Sequence, residues 1–497
     1  MQPNGTDDKG RRSFGWGTNR GSYPPPMKTL RLVSRTARRA LLSTSLLFCI
    51  HVSAAEVRVG VAATDITPPM GIPMAGYYHA RGADGVLDPL FSKAMIIEAD
   101  GERVALATLD TIQVTREVTD IARAEIEKVT GIKGTHVMIS ATHAHTGPVL
   151  ASRGRRNMEM GGHAQLAVDY TERLPKLIAE SVRLANDHRQ PAQLSAAKGR
   201  CENLAFNRRY FMRDGSVGWN PGKLNTNIVM VAGPTDPEVG ILYAELPAAN
   251  GPTASIATYV NFAMHPDTTG GSKISADWPG ALGRVLAGYH GTNHLTLVAN
   301  GTCGNVNHLD FSWRWPQGTG IEQHRIATIL GASVFQAYKD LKPVMTGPLR
   351  VKSEIVELGL PEVTPEQLAD AKQTIAATKD DIGVNFMRLV RAYRVVDVAD
   401  REGKPQHVEV QVIALGRDVA WVGLPGEVFV ELGLALKKRS PFKHTFIVEL
   451  ANECLGYIPD RRSYAEGNYE PESARCAAGS GEKLVDVGAK LLTELYR

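Results

Sequence analysis

The 497-residue sequence contains few cysteines, only five, and none of them has CxxC spacing. Such a low cysteine content excludes a scaffold held together by disulfides, and the missing CxxC pairs argue against a thiolate zinc site. Cys49 falls in the N-terminal segment. Cys454 and Cys476 could pair across a loop in an oxidising compartment, and the sequence leaves that question open.

Several catalytic signatures are also missing from the sequence. There is no GxSxG elbow of a serine hydrolase, no HExxH helix, no phosphate-binding Walker loop and no GxGxxG opening a helix. Cys303 lies between glycines in "ANGTCGNVN" without an identified neighbouring base, which is typical of a small buried residue in a tight loop. If the protein is an enzyme, its chemistry must therefore come from another arrangement of side chains.

Basic charge is concentrated at the start of the chain. Residues 1–55 carry a net charge of +7, whereas the whole chain carries +4, so residues 56–497 are slightly acidic. Without a clustered basic face in the remainder, we expect no nucleic-acid partner. The composition, 43% hydrophobic and 22% charged, is that of an ordinary globular protein with a large core.

Residues 1–55 are predicted to be a leader, with a signal peptide over about 27–55. The apolar run "ALLSTSLLFCI" (40–50) is too short to span a bilayer comfortably, and "VSAA" (52–55) offers a cleavage site. No later segment is predicted to cross a membrane, so we expect an exported protein, periplasmic or secreted. An uncleaved anchor, a true start at Met27 and a twin-arginine route through Arg38-Arg39 stay open.

Hydrophobic periodicity and turn residues predict an α/β fold with mixed sheets and flanking helices, forming one large domain over 56–497. The predicted elements are a strand entering a shaped loop (57–77), a hairpin around Asp100-Gly101, a helix (115–131), a strand (135–142), a helix (about 165–187), a strand (254–263), a strand that ends in a glycine-rich loop (294–307), a helix with a Thr364–Gln367 capping box (364–377), two strands, a Pro425-Gly426 turn and a helix starting near Glu427 (407–438), and a last strand (444–459) that ends near Tyr457.

Five polar residues follow the ends of predicted strands: His143, His145, His265, Glu427 and Tyr457. Ligand chemistry in α/β sheets collects at the carboxyl ends of strands, and residues two apart in an extended segment point to the same side. Imidazole nitrogens and carboxylate oxygens are ligands that zinc prefers, and a nearby dication would favour a tyrosine phenolate. Each residue also has an ordinary structural interpretation, from a strand-capping histidine to a core tyrosine.

The blocks "VGVAATDITPP", "PLFSKAMIIE", "ISATHAHTGP", "NFAMHP", "LPGE" and "NECLGYIPDRRSYAEGNYE" resemble the catalytic domain of neutral/alkaline (non-lysosomal) ceramidases and their bacterial relatives. The resemblance covers roughly residues 56 to 470. The THxHxGP block and the tyrosine series Tyr457, Tyr464 and Tyr469 are its most specific parts. That family hydrolyses the amide bond of ceramide with one zinc ion.

The resemblance implies one Zn²⁺ ion and assigns roles to individual residues. The zinc ligands fall on His143, His265, Glu427 and Tyr457, and the catalytic positions fall on His145, Arg208 and Tyr464.

The sequence departs from the family pattern in two places. A serine once proposed as a nucleophile falls on or near Gly301, and the acid after it becomes Asn305, so a serine mechanism is not expected. We also expect a divergent bacterial-type member without the C-terminal immunoglobulin-like domain of full ceramidases.

The main hypothesis is an exported zinc-dependent hydrolase that cleaves a ceramide-like N-acyl amide with a metal-activated water. Its partner would be a small-molecule or lipid substrate, with peripheral membrane contact. One alternative is a zinc hydrolase of another ester, lactone or carbohydrate-derived compound. The other is a binding protein on the same scaffold without turnover.

Overall fold

The computed structural model describes residues 56–247, 254–318, 320–345, 347–377 and 382–497. The leader predicted for residues 1–55 lies outside this part of the chain, and the single-domain assignment for 56–497 stays a prediction. In the described ranges, no helix combines the length and the apolar character needed to cross a bilayer.

The strands, in chain order, are β1 (Arg58–Asp65), β2 (Gly85–Val86), β3 (Phe91–Ala99), β4 (Glu102–Leu109), β5 (Val137–Ala141), β6 (Gln190–Pro191), β7 (Gln193–Arg200), β8 (Phe206–Asn207), β9 (Arg209–Met212), β10 (Val217–Trp219), β11 (Ile228–Val231), β12 (Glu238–Leu246), β13 (Ala254–Phe262), β14 (Lys273–Ile274), β15 (Leu295–Asn300), β16 (Val306–Asn307), β17 (Lys342–Pro343), β18 (Leu349–Leu358), β19 (Gln406–Leu415), β20 (Val419–Gly423), β21 (Glu427–Val428), β22 (His444–Val448) and β23 (Tyr457–Ile458).

The helices are α1 (Arg116–Thr130), α2 (Arg155–Asn157), α3 (Gln165–Asp187), α4 (Asp277–His290), α5 (Glu322–Ala337), α6 (Pro365–Ala377), α7 (Ile382–Ala399), α8 (Val430–Arg439), α9 (Arg461–Glu466), α10 (Tyr469–Ser473) and α11 (Ser480–Tyr496).

Three mixed sheets share one construction. Their strand orders are β5-β4-β3-β1-β6, β15-β13-β12-β7-β17 and β18-β19-β20-β22. Each consists of antiparallel pairs plus one parallel pair, namely β4 with β5, β13 with β15, and β20 with β22. A helix connects the members of each parallel pair, as such a connection requires: α1, α4 and α8 respectively. The mixed α/β fold expected from the sequence is therefore confirmed.

The three sheets enclose a common core. Met95 of the first sheet, Tyr259 of the second and Trp421 of the third are almost completely buried in one hydrophobic cluster. The rings of Tyr259 and Trp421 are 6.3 Å apart and meet edge to face. Helices cover the outer faces, so each sheet is buried on both sides, as expected for sheets that contain parallel pairs.

Local sequence signals predicted several elements correctly. Helix α1 begins after Thr115, whose side chain accepts a hydrogen bond from Val118 N, and ends at Gly131 in the left-handed conformation. The Thr364–Gln367 capping box forms both of its reciprocal hydrogen bonds, at 3.0 and 3.3 Å. Asp100 and Gly101 both have positive φ, as a two-residue hairpin requires.

Two predicted boundaries are wrong. Helix α8 begins at Val430 rather than near Glu427, because Glu427 and Val428 pair with Tyr457 and Ile458 as short parallel strands. The strand predicted for 444–459 stops at Val448. Leu450, Asn452 and Gly456 all have positive φ beyond that point, so the chain turns repeatedly before β23. Separately, Cys454 and Cys476 are both free thiols.

His294 is a buried histidine that we expect to make the fold sensitive to acid. Its side chain is buried beside His290, with ring centroids 4.3 Å apart, and Ser255 Oγ lies 2.8 Å from its Nδ1. Burial, assisted by the charge of His290, lowers the pKa of His294 to about 3. Between this value and the unfolded value of about 6.5, the unfolded chain binds more protons.

We therefore expect the free energy of unfolding to fall as pH drops below about 6.5. In the His294→Gln variant, the slope of unfolding free energy against pH should be smaller by up to about 1.4 kcal/mol per pH unit. Urea unfolding between pH 7 and pH 5 measures it, and the exposed His324→Gln variant is the control. Equal slopes for His294→Gln and the parent protein would contradict the assignment.

Candidate metal centre

Three histidines distant in sequence meet in the interior of the protein. His143 Nε2 lies 3.2 Å from His265 Nε2 and 3.2 Å from His145 Nε2. Nitrogens of all three rings lie within 4.8 Å of one another. His143 follows β5 and His265 follows β13, so the carboxyl ends of two strands from different sheets place the two histidines side by side.

Backbone carbonyls fix the orientation of two of these rings. Nδ1 of His143 lies 2.8 Å from the carbonyl oxygen of Ile112, and Nδ1 of His265 lies 2.8 Å from that of Cys303. A carbonyl oxygen only accepts hydrogen bonds, so each Nδ1 is the donor and each Nε2 lone pair points towards the centre. This arrangement is the usual way in which a protein orients histidine ligands of a metal.

The histidine pair converges by a different route from the predicted one. His143 has φ of 72°, in the left-handed region, and the segment after β5 is not extended. Alternation along a strand therefore does not explain why His143 and His145 face the same point. Hydrogen bonds from His143 N and Ala144 N to the carbonyl oxygen of Thr111 hold the turned backbone. A bulky residue with positive φ is costly, and such strain is typical of functional sites.

Glu427 completes the cluster. Its Oε2 lies 3.3 Å from His143 Nε2 and 3.4 Å from His265 Nε2. That oxygen is buried without a hydrogen-bond partner in the described part of the chain. Burial alone would raise the pKa of Glu427, but His143 and His265 outweigh it and hold the pKa well below the usual range.

The donor set fits a divalent cation. Burial lowers the pKa of His145 to about 4 and that of His265 to about 3, so both rings are neutral at pH 7 and can act as ligands. Burial also opposes a charge on His143, yet Glu427 raises its pKa. Converging lone pairs and an unpartnered carboxylate oxygen require a positive charge between them, which a proton or a metal ion can supply.

Tyr457 lies beside Glu427 because the two residues are direct partners in the β21–β23 pair. Its buried hydroxyl accepts a hydrogen bond of 3.0 Å from Arg208. Burial and the neighbouring Glu427 raise the pKa of the Tyr457 phenol well above its usual value. A bound dication would act in the opposite direction, by favouring the phenolate.

Arg208 is held by a network of buried charges. Its Nε donates to Glu470 at 2.8 Å and its Nη2 donates to the carbonyl oxygen of Gly304 at 2.6 Å. Arg209 donates to the other oxygen of Glu470 at 3.1 Å. Arg208, Arg209 and Glu470 are all buried, so the two guanidinium groups share the Glu470 carboxylate, and Arg209 has a second acidic partner in Glu466 at 3.2 Å.

The glycine-rich loop after β15 packs against Glu427. Gly304 N donates to Val428 O at 2.9 Å, and a Cβ on Gly304 would lie only 2.5 Å from the carbonyl oxygen of Glu427. Only glycine allows this approach. Asn305, where the resemblance placed an acid, accepts from Val430 N at 2.9 Å and thereby supports the start of α8.

Glu449 joins the same loop to β21. One of its oxygens accepts hydrogen bonds from Cys303 N at 3.1 Å and Val428 N at 3.0 Å, and the other accepts from the Cys303 thiol at 2.9 Å. Burial raises the pKa of Glu449 to about 8 and raises that of Cys303 well above its usual value. Cys303 is thus a protonated thiol that binds Glu449, and it is the small buried residue in a tight loop that its sequence context predicted.

On the far side of His145 lies Asp267. Its Oδ1 is 3.7 Å from His145 Nδ1 and accepts a hydrogen bond of 2.6 Å from the Tyr77 hydroxyl. Burial raises the pKa of Asp267, but His145 and this hydrogen bond outweigh it, so the pKa of the carboxyl is lowered. His145 Nδ1 has no hydrogen-bond partner within the described residues.

Tyr464 lies apart from the cluster. Its hydroxyl donates to the carbonyl oxygen of Cys476 at 2.7 Å, so the structure does not bring it to the histidines. Tyr469 occupies the neighbouring space instead, with its ring 5.4 Å from that of Tyr457. Its packing depends on the α6–α7 helical pair, which the pattern of tyrosines alone does not reveal.

Asp267, Glu449 and Glu470 were not predicted as site residues. The sequence "HPD" after β13 is the feature that could have predicted Asp267. A carboxylate commonly binds the second ring nitrogen of a histidine ligand and so orients the ring.

The buried ion network makes Glu470 critical for stability. The Glu470→Gln variant removes the carboxylate partner of the buried Arg208 and leaves Arg209 with Glu466 alone, and we expect it to lose roughly 3–5 kcal/mol of unfolding free energy. Urea unfolding at pH 7 measures the loss. Glu354→Gln, which breaks the exposed ion pair with Lys490, is the matched control and should cost less than about 1 kcal/mol. Similar losses in both variants would contradict this account.

A match to a family model covers the first three of the six residue blocks noted in the sequence. Residues 57–213 match the family model described as neutral/alkaline non-lysosomal ceramidase, N-terminal. No curated protein sequence matches the chain.

Two solved structures resemble the fold. A crystal structure of neutral ceramidase from Pseudomonas aeruginosa superposes with a TM-score of 0.70 at 18% identity, over 89% of this chain and 75% of that one. A ceramidase complexed with C2 has a TM-score of 0.68 at 18% identity, with the same coverage of both chains. Residues 57–213 thus carry the N-terminal domain signature of the neutral/alkaline non-lysosomal ceramidases, in a chain that has the fold of neutral ceramidase.

Proposed function

We propose that this protein is an exported, zinc-dependent hydrolase of N-acyl amides of the ceramide type. The observation that carries the proposal is the convergence of the His143, His145 and His265 rings, with a buried oxygen of Glu427 beside His143 and His265. The ceramidase family match and the shared fold support amide hydrolysis as the reaction.

We assign His143, His265 and Glu427 as protein ligands of the metal, with Tyr457 as the fourth. Two imidazoles and a carboxylate form a donor set that zinc prefers in hydrolases. A bound Zn²⁺ would lower the pKa of a water molecule and polarise the carbonyl of the scissile amide. The reaction adds hydroxyl to the acyl carbon and a proton to the nitrogen as the C–N bond breaks.

His145 is assigned to proton transfer. Because burial lowers its pKa to about 4, His145 is neutral at pH 7 and can accept a proton from the attacking water. The imidazolium so formed would be stabilised by Asp267, which lies 3.7 Å from Nδ1. The same proton can then pass to the departing amine, which must leave as a neutral group.

Arg208 is assigned to stabilise the negative charge that develops on the carbonyl oxygen. Its guanidinium is fixed on three sides by Glu470, Gly304 and Tyr457, so it needs no reorganisation during the reaction. The contribution predicted for Tyr464 would have to be indirect, because its hydroxyl is bonded to Cys476.

Variants of the ligands test the metal assignment. We expect His143→Ala, His265→Ala and Glu427→Ala to lose bound zinc and to lower the rate of fatty-acid release from ceramide in detergent by more than roughly 100-fold. Even the outer partners of metal ligands are worth about 10- to 100-fold. The zinc-to-protein ratio after dialysis and the hydrolysis rate are the measurements.

His407→Ala is the matched control, because His407 is exposed and pairs with Glu357 on the surface. It should retain both zinc and turnover. A chelator should abolish the activity of the parent protein, and added Zn²⁺ should restore it. Full zinc content in His143→Ala would refute the assignment.

Export is the remaining part of the proposal and rests on the leader sequence of residues 1–55, with its charged segment before "ALLSTSLLFCI". Expressed in a bacterial host, the full chain should appear in the periplasm or medium in a form shortened near residue 55. Fractionation and N-terminal sequencing check this, and a cytoplasmic full-length product would refute export. Peripheral membrane contact stays a prediction.

A further inference from the structure

A cavity of about 570 Å³ opens beside the proposed metal centre. Glu427 and Tyr457 form part of its wall, and Tyr77, whose hydroxyl binds Asp267, forms another part. This size is typical of a small-molecule site. A substrate whose scissile bond lies at Glu427 can therefore place one of its portions in this cavity.

The cavity wall is rich in cations. Five basic side chains line it, together with three acidic ones; the basic residues are Arg153, Arg156, Arg401, Lys404 and Arg475. Two of the three acids are already engaged. Glu427 faces the histidines, and Asp397 accepts hydrogen bonds from Arg475 and from Arg155 N at 2.7 Å each.

Arg156 is the cation best placed to meet a ligand. Its guanidinium carbon lies 3.8 Å from the centre of the Tyr78 ring, and its Nη2 donates a long hydrogen bond of 3.4 Å to Tyr77 O. No carboxylate of the described residues lies within ion-pair distance of Arg156 or of the exposed Arg153. Stacking on Tyr78 orients the planar fork while most of its N–H donors stay available.

Apolar side chains line the cavity as well. Val149, Leu150 and Met160 are among its lining residues and are buried. The cavity thus offers apolar and cationic side chains to the same ligand. An uncharged hydrocarbon would contact the apolar side chains but would remove water from the guanidinium groups without replacing their hydrogen bonds.

We propose that this cavity binds an oxyanion group of the substrate, so that the preferred substrates are N-acyl amides bearing a carboxylate or phosphate, with Arg156 as the specificity-determining residue. The proposal rests on the proposed amide hydrolysis. Guanidinium groups bind both oxyanions through paired hydrogen bonds, which makes carboxylate and phosphate chemically equivalent here.

Matched substrates test the preference. N-octanoylglycine and N-octanoylphosphoethanolamine carry the anion on the amine side, and N-octanoylethanolamine is their neutral counterpart. N-butylsuccinamate and N-butylbutanamide form the pair with the anion on the acyl side. We expect the zinc-loaded protein to show a higher kcat/KM for the anionic member of at least one series, through a lower KM.

In Arg156→Ala, the anionic-to-neutral ratio of kcat/KM should fall roughly 10- to 100-fold, the value of a hydrogen bond to a charged group. Arg156→Lys should lose less, because it keeps the charge. Arg153→Ala should lower the ratio roughly two- to fivefold, as expected for an exposed charge. Because Arg153 is exposed, we expect this variant to fold normally. Arg439→Ala, which alters a distant surface ion pair, should leave the ratio unchanged.

Measuring binding without turnover distinguishes a failure of the anion-site proposal from a failure of the proposed amide hydrolysis. Isothermal titration of the chelator-treated protein with N-octanoylglycine and N-octanoylethanolamine measures anion preference without turnover. Tighter binding of the anion that Arg156→Ala abolishes supports the cavity assignment even if no amide is hydrolysed. Hydrolysis of neutral and anionic amides at equal kcat/KM, or ratios unaffected in both Arg156→Ala and Arg153→Ala, overturns the cavity assignment while amide hydrolysis stands.

Discussion

A buried oxygen of Glu427, 3.3 Å and 3.4 Å from the Nε2 atoms of His143 and His265, is the constraint that organises this protein. Its lone pairs and those of the imidazoles face one another in the interior, where uncompensated charge is costly. The arrangement is tolerable only if a positive charge joins it. The backbone hydrogen bonds at Ile112 and Cys303 keep the imidazoles from turning away.

The three sheets explain how this contact is reached. In each sheet, a helix connects two parallel strands, and the chain beyond a strand end enters the centre: His143 after β5, His265 after β13 and Glu427 after β20. Packing the sheets on one shared hydrophobic core brings the three strand ends together. The proposed metal centre depends on all three sheets at once, so binding of a metal there would be coupled to the integrity of the whole core.

Around the centre, buried charged side chains form ion pairs and hydrogen bonds with one another. Glu470 compensates Arg208 and Arg209, and Glu449 ties the Cys303 loop to Val428. Such groups are expensive to bury, and here they hold the side chains and the loop around the centre in position. The adjacent cavity is also lined by charged side chains. Among the described residues, its Arg156 and Arg153 have no acidic partners, and they confer selectivity for a charged ligand.

Local sequence determined the elements that depend on neighbouring residues: the capped α1, the Asp100-Gly101 hairpin and the Thr364–Gln367 capping box. It also determined that polar side chains follow strand ends. Tertiary structure alone decided that Glu427 begins a strand rather than a helix, because its partner Tyr457 is distant in the chain. It likewise turned Tyr464 towards Cys476. Hydrophobic periodicity indicates which face of a helix or strand is buried. The distance between two imidazoles depends instead on how separate sheets pack, and short-range sequence patterns do not predict that packing.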